Sequence, residues 1–217
     1  MLTPSRTVSF KETVFDYFLE SSLNYRNMKV LFLDRDGVIN RYPGDSDYVK
    51  SWSEFYFLPK VKSSLKRLND GGFKIFIISN QAGVAKGLYS QEALDLITKN
   101  MLKELNDYKI NIAGVYYCTH RQEDNCPCRK PKTGLIDMAI AKLKEKGLKI
   151  QLSGSYFIGD TISDVQTGKA AGLLTILVFS GKERPDNKNR WAILPDYTAK
   201  DASEAVELIL KNGAHLG

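Results

Sequence analysis

From Lys29 onward the chain alternates short apolar runs with segments of helical period, and this alternation restricts the fold more than any other feature. Lys29–Leu33, Lys74–Ser79, Gly114–Cys118, Ser155–Ile158 and Thr175–Phe179 are too short for helices and mostly β-branched or aromatic, so they read as strands. Between them, Pro59–Asp70 reads as a helix stopped by Gly71-Gly72, and Ser90–Asp107 as a helix opened by a Ser N-cap. Gly134–Lys146 ends at Gly147, Ser163–Ala171 ends at Gly172, and a final helix, Ala202–Lys211, follows Asp201. Strands separated by helices need right-handed crossovers, which predicts an α/β, open, doubly wound parallel sheet. In that architecture ligands lie outside the carboxyl ends of the strands. The polar stretch Gly181–Asn189 reads as a surface loop.

With 217 residues and 43% apolar content, the chain can bury one proper core. Residues 28–217 are expected to form that domain. Residues 1–27 form an N-terminal extension, with Val14, Phe15, Phe18 and Leu19 spaced for one helical face. The longest apolar run, Ala170 to Phe179, is about half the roughly 20 residues of a membrane helix, and no secretory leader is visible, so a cytoplasmic location is expected. The formal charge of +6 is spread over scattered lysines, which reads as a solvated basic surface rather than a nucleic-acid arm. His215 has no partner in sequence and is assigned no role.

Chemistry gathers at the predicted strand ends. The first strand runs into Asp34-Arg35-Asp36-Gly37, two carboxylates at alternate positions that repel unless a cation or proton intervenes; alone, this is also ordinary turn chemistry. The second ends in Ser79-Asn80-Gln81 before the glycine-spaced run to Gly87, a hydroxyl, amides and backbone N–H groups able to surround phosphate oxygens. The fourth ends in Gly159-Asp160-Thr161-Ile162-Ser163-Asp164. Asp160 there would face the first pair and complete an oxygen-rich Mg²⁺ site, or act only as a helix cap. Arg129-Lys130-Pro131-Lys132 supplies cations before a helix, where a positive charge can neutralise a transferring phosphoryl group or simply be solvated.

All three cysteines lie between 118 and 128 together with one of the two histidines, leaving none for a disulfide framework. Cys118, His120, Cys126 and Cys128 offer three sulfurs and an imidazole, a full tetrahedral set for structural Zn²⁺.

Taken jointly and in this order, the four strand-end pieces resemble the haloacid dehalogenase (HAD) superfamily over about Lys29 to Val178, in the Rossmann-like branch without a large cap domain. Loops Arg41–Trp52 and His120–Arg129 would then shape access to the site. The resemblance implies a phosphatase in which Asp34 is the nucleophile and Asp36 the general acid and base, with Ser79 and Lys130 on the phosphoryl oxygens. It further implies Mg²⁺ on the Asp34 side chain, the Asp36 backbone carbonyl and Asp160, and an orienting role for Asp164. Asn80, Gln81, Lys86 and Arg129 would contact the rest of the substrate. The Cys-x-His and Cys-x-Cys-Arg-Lys-Pro elements are similar to those of the heptose bisphosphate and histidinol-phosphate phosphatases, where Zn²⁺ would hold Arg129 and Lys130 toward the crevice. Lys86, at a place where the histidinol group carries an acid, favours the heptose bisphosphate over the cationic histidinol phosphate. A nucleic acid 3′-phosphatase shares the Ser-Asn-Gln run but lacks the zinc loop, and a non-catalytic binding module would not need Asp34, Asp36, Lys130 and Asp160 together. The expected partner is a small phosphorylated metabolite, with neither membrane nor nucleic acid involved.

Overall fold

A computed structural model of the chain describes residues 28–214. The N-terminal extension and His215 lie outside the described residues. Six parallel strands form one sheet in the order β3-β2-β1-β4-β5-β6. They are β1 (Val30–Leu33), β2 (Lys74–Asn80), β3 (Ile112–Cys118), β4 (Tyr156–Gly159), β5 (Leu174–Val178) and β6 (Tyr197–Ala199). The helices are α1 (Val61–Asp70), α2 (Gln91–Asp107), α3 (Gly134–Glu145), α4 (Ile162–Ala170) and α5 (Ala202–Ala214). No helix among the described residues is long and apolar enough to cross a membrane.

The doubly wound sheet is as expected, and its cause is visible in β1. All four of its residues are buried, and the period of two divides them between two cores. Leu31 and Leu33 join Ile75 and Ile77 under α1, α2 and α5. Val30 and Phe32 face the other layer with Phe76, Ile78, Phe157 and the apolar side of α3. Phe32 stacks on Phe76 at 5.4 Å and on Phe157 at 6.4 Å, tying the three central strands together.

Helix starts follow local chemistry. Ser90 caps α2 by accepting from the Ala93 N–H at 3.2 Å, as its sequence predicts. The helix predicted from Pro59 begins instead at Val61, because Lys60 takes a left-handed conformation at the cap. The β6 strand has no counterpart in the sequence reading. It is three residues long, and its neighbour β5 supplies the pairing through Ile176, Leu177 and Val178. The expected loop Gly181–Asn189 runs into a 3₁₀ turn, Pro185–Arg190.

The chain builds β1, β2 and β3 to one side, then returns to place β4 on the other side of β1. The order reverses between β1 and β4, and the carboxyl ends of parallel strands part there to leave a crevice. Truncating Phe32 to Ala at this centre should cost about 3–5 kcal/mol, the usual range for a buried phenylalanine. Urea unfolding checks this; a loss below about 1 kcal/mol would mean that the three-ring stack is not a principal tie of the sheet.

Candidate active site

Asp34 leaves β1 at the reversal point, its N–H still donating to the Ile158 carbonyl of β4 at 3.0 Å. Its Oδ1 accepts from the Arg35 N–H at 2.7 Å, and the Lys130 ammonium lies 3.0 Å from Oδ2. Burial pushes the Asp34 carboxyl up to about 6, against the opposing pull of Lys130 and a hydrogen bond from Ser79; Asp164 and Asp36 add to the rise. Asp160 leaves β4 beside it. Burial first, then the charges of Asp34 and Asp164, hold its carboxyl well above the ordinary range, although the Lys182 N–H donates to Oδ2 at 2.8 Å. Two glycines make room for this carboxylate. A Cβ on Gly181 would stand 2.0 Å from Asp160 Oδ2, and one on Gly37, whose φ is +78°, would stand 2.6 Å away.

Lys130 is buried, with its ammonium 2.5 Å from Asp164 Oδ1 and donating to the Ile78 carbonyl at 3.1 Å. Burial opposes its charge, but Asp164 and Asp34 overcome it and raise its pKa. Asp164 spends its other oxygen on a capping box at the start of α4, accepting from the Thr161 N–H at 3.0 Å and hydroxyl at 2.7 Å. One carboxylate therefore fixes both a helix end and the lysine.

Asp36 has a separate set of partners. Arg35 donates from Nε and Nη2 to Oδ1, both at 3.1 Å, and from Nη2 to Oδ2 at 3.0 Å. Asn40 donates to Oδ1 at 2.8 Å and Gln81 to Oδ2 at 2.9 Å. Ser79 is buried against this group, its Oγ 3.2 Å from Gln81 Nε2.

A cavity of about 640 Å³ opens above these residues, lined by Asp34, Asp36, Ser79, Asn80, Lys130 and Asp160, with Arg129 at its side. Tyr42, Pro43, Asp47 and Tyr48 from the loop after β1 form one wall, and Gln122 and Asn125 from the cysteine loop another, the two loops expected to shape access. Lys182 and Glu183 also face it, so the polar stretch expected as a surface loop contributes to the site.

The residues expected to contact the substrate differ in where they stand relative to the cavity. Gln81 is fully buried and does not line the cavity; its amide bridges Asp36, Arg35 and the Tyr89 hydroxyl. Asn80 lines the cavity, but both amide atoms bond the backbone of Lys130, at 3.1 and 3.2 Å, and so hold the lysine's position. Lys86 is exposed and does not line the cavity; its ammonium reaches the Tyr48 hydroxyl at 3.1 Å. Arg129 does face the cavity, while its Nη1 donates to the His120 carbonyl at 3.3 Å. Arg35 is a site residue that the sequence reading missed. Alternation along an extended segment turns it inward when Asp34 and Asp36 face the crevice, and that is the signal that could have found it.

Among the described residues, two groups of side chains could hold metal. Asp34, Asp160 and Asp164 bring carboxylate oxygens within 4.8 Å of one another. These three buried carboxylates face one buried ammonium, and the crowding of like charge that raises Asp34 and Asp160 is what a hard divalent cation such as Mg²⁺ would relieve. The second group is Cys118, His120, Cys126 and Cys128. Its sulfurs are 3.3–3.5 Å apart and His120 Nδ1 lies 3.3 Å from Cys128 Sγ. A tetrahedral ion with bonds of about 2.3 Å would set sulfurs about 3.8 Å apart, whereas a disulfide needs about 2.05 Å. Burial pushes the Cys118 and Cys128 thiols up, whereas hydrogen bonds from its neighbours hold Cys126 down, and a bound Zn²⁺ would displace the thiol protons.

The HAD-hydrolase-like family profile matches residues 127–205. The chain is 36% identical over 185 residues to the D-glycero-D-manno-heptose-1,7-bisphosphate 7-phosphatase of Chlorobaculum tepidum, a match covering 82% of this chain and 92% of that protein. It is 37% identical over 162 residues to the D-glycero-beta-D-manno-heptose-1,7-bisphosphate 7-phosphatase of Haemophilus ducreyi, covering 71% and 85% of the two. Among solved structures, the D,D-heptose 1,7-bisphosphate phosphatase of B. bronchiseptica, complexed with magnesium and phosphate, matches with a TM-score of 0.75 at 30% identity, covering 85% of this chain and 99% of that one.

Protein purified under reducing conditions without chelators should carry about one Zn²⁺ per chain, because a set of three sulfurs and one imidazole selects zinc over magnesium. Metal analysis by mass spectrometry checks this, and Cys126→Ser should lose the ion while keeping most of the fold. Zinc-free native protein would contradict the assignment of the cluster.

Proposed function

The chain belongs to the haloacid dehalogenase-like phosphatase family, and from that premise we propose that it removes the 7-phosphate of a D-glycero-D-manno-heptose 1,7-bisphosphate through a phospho-aspartate on Asp34. The observation that carries this reading is the buried Asp34–Lys130–Asp164 arrangement beside Asp160, at the one place where the strand order reverses. Mg²⁺ held by Asp34 and Asp160, and by the Asp36 carbonyl, would screen the negative charge between enzyme and phosphate. Zn²⁺ on the cysteine–histidine group would hold the loop that ends in Arg129 and Lys130.

In the first step an Asp34 carboxylate oxygen attacks phosphorus. The bond to the ester oxygen breaks, its electron pair leaves with the sugar oxygen, and Asp36 supplies the proton. In the second step Asp36 takes a proton from water, whose oxygen attacks phosphorus, and the bond to Asp34 breaks to release inorganic phosphate. Lys130 and Ser79 face the phosphoryl oxygens throughout, where a fixed charge in a dry site stabilises the transition state.

Support for the heptose substrate comes from the relatives' names and from the cationic side of the cavity, where Arg129 can meet a second phosphate. Lys86 contributes less than its charge implies. It is solvent-exposed, and exposed charge contacts are worth about 0–1 kcal/mol, or at most about fivefold in rate.

The kcat/KM for a heptose 1,7-bisphosphate should exceed that for histidinol phosphate by at least about tenfold, a difference of roughly 1.4 kcal/mol in transition-state binding. Lys86→Glu should narrow the gap by no more than about fivefold. Phosphate release measured on both substrates decides it, and equal or reversed efficiencies would move the assignment to the histidinol ester. Lys130→Ala should lower kcat by roughly 10²–10³-fold. A change confined to KM would mean that Lys130 only binds.

A further inference from the structure

We infer that Arg35 is a positioning residue for this reaction, its buried guanidinium clamping both oxygens of Asp36 and fixing the carboxyl group that exchanges protons with the leaving group and water. The inference rests on the acid–base role proposed for Asp36.

Arg35 is fully buried and does not line the cavity, so it touches no substrate. Its Nε and Nη2 span the Asp36 carboxylate, with Nε to Oδ1 at 3.1 Å and Nη2 to Oδ2 at 3.0 Å, and rotation of the carboxylate plane would break both bonds. The clamp is itself held at the ends of neighbouring strands. Nη2 also donates to Gln81 Oε1 at 3.1 Å, next to β2, and that oxygen accepts from the Tyr89 hydroxyl at 2.6 Å. The guanidinium carbon lies 5.7 Å from the centre of the Tyr117 ring near the end of β3. The Asp36 side chain keeps 17% of its surface exposed on the cavity side.

An ion pair retained only for stability would be a poor use of this position. Desolvating a guanidinium costs several kcal/mol, and well-packed apolar residues often stabilise as much. What apolar residues cannot supply is a planar, two-pronged donor that orients a carboxylate. Lysine, a point charge, cannot supply it either.

The test uses the full chain with Mg²⁺ and two esters of different leaving-group quality. An alkyl phosphate, such as the heptose bisphosphate, needs a proton on its departing oxygen; 4-nitrophenyl phosphate does not. Arg35→Lys should slow transfer from the alkyl ester by about 10²-fold, the usual worth of a placed general acid, with KM changed by less than about threefold. In rapid mixing, the nitrophenolate burst should keep a rate within about tenfold of wild type, because the enzyme is still phosphorylated on Asp34. Gln81→Met, which removes one support of the clamp at similar volume, should shift the ratio of the two rates in the same direction by a smaller amount, and it carries the test if the lysine variant does not fold. Equal losses on both esters, or an unchanged alkyl rate, would overturn the inference. A wild-type enzyme that hydrolyses both esters with no burst, and forms no acid-stable phosphoprotein, would instead remove the phospho-aspartate reading on which it rests.

Discussion

The ammonium of Lys130 between Asp34 and Asp164 is the contact on which the site depends. A buried charge is tolerated only when it is paired and hydrogen-bonded, and removing one partner of such a pair costs about 3–5 kcal/mol. Here the pairing reaches across the fold. Asp34 ends β1, Asp164 caps α4, and Lys130 arrives from the loop after β3, its backbone held by Asn80 at the end of β2. Four separate segments therefore have to be in register before the lysine is satisfied. The cores on the two faces of the sheet provide that register, through residues such as Phe32 that allow almost no displacement.

Two devices bring long-range order to a segment with few apolar residues of its own. The Cys118, His120, Cys126 and Cys128 group gathers a loop that ends two residues before Lys130, and Lys132 braces it further by donating to the carbonyls of Asn125 and Cys126 at 2.9 and 3.0 Å. On the opposite side, Gly181 and Gly37 let backbone approach Asp160 closely, and Ser180 donates to the Gly37 carbonyl at 2.6 Å. Asp34 and Asp36 thus sit in different electrostatic settings only two residues apart. Asp34 shares a lysine with other carboxylates, whereas Asp36 has an arginine of its own.

Much of this was legible in the sequence because strand ends in a parallel sheet converge on one edge. Asp34, Asp36, Ser79 and Asp160 each lie at or just past the end of a recognisable apolar run, Lys130 comes from the loop after the third, and the sheet order brings them to one cavity. What could not be read is the direction in which a polar side chain points once the strand has ended. Asn80 and Gln81 are adjacent amides with the same chemistry, yet one clamps the Lys130 backbone and the other sits in the interior beneath Asp36. Strand β6 is too short to show a period, and its place is fixed by pairing with β5 and by Asp196, whose carboxylate accepts from the Thr175 N–H at 2.8 Å. Lys182 reaches the site by tertiary folding of a polar loop, which leaves no local pattern.

In the proposed mechanism phosphate passes through a covalent bond to Asp34. Rapid quenching during turnover, followed by borohydride reduction and peptide mass spectrometry, tests it directly, since an acyl phosphate is reduced to the alcohol and converts the modified aspartate to homoserine. Homoserine at position 34, dependent on substrate and on Mg²⁺, is the predicted result. Modification at Asp36 or Asp160, or turnover with no modified residue at any time point, would contradict the account.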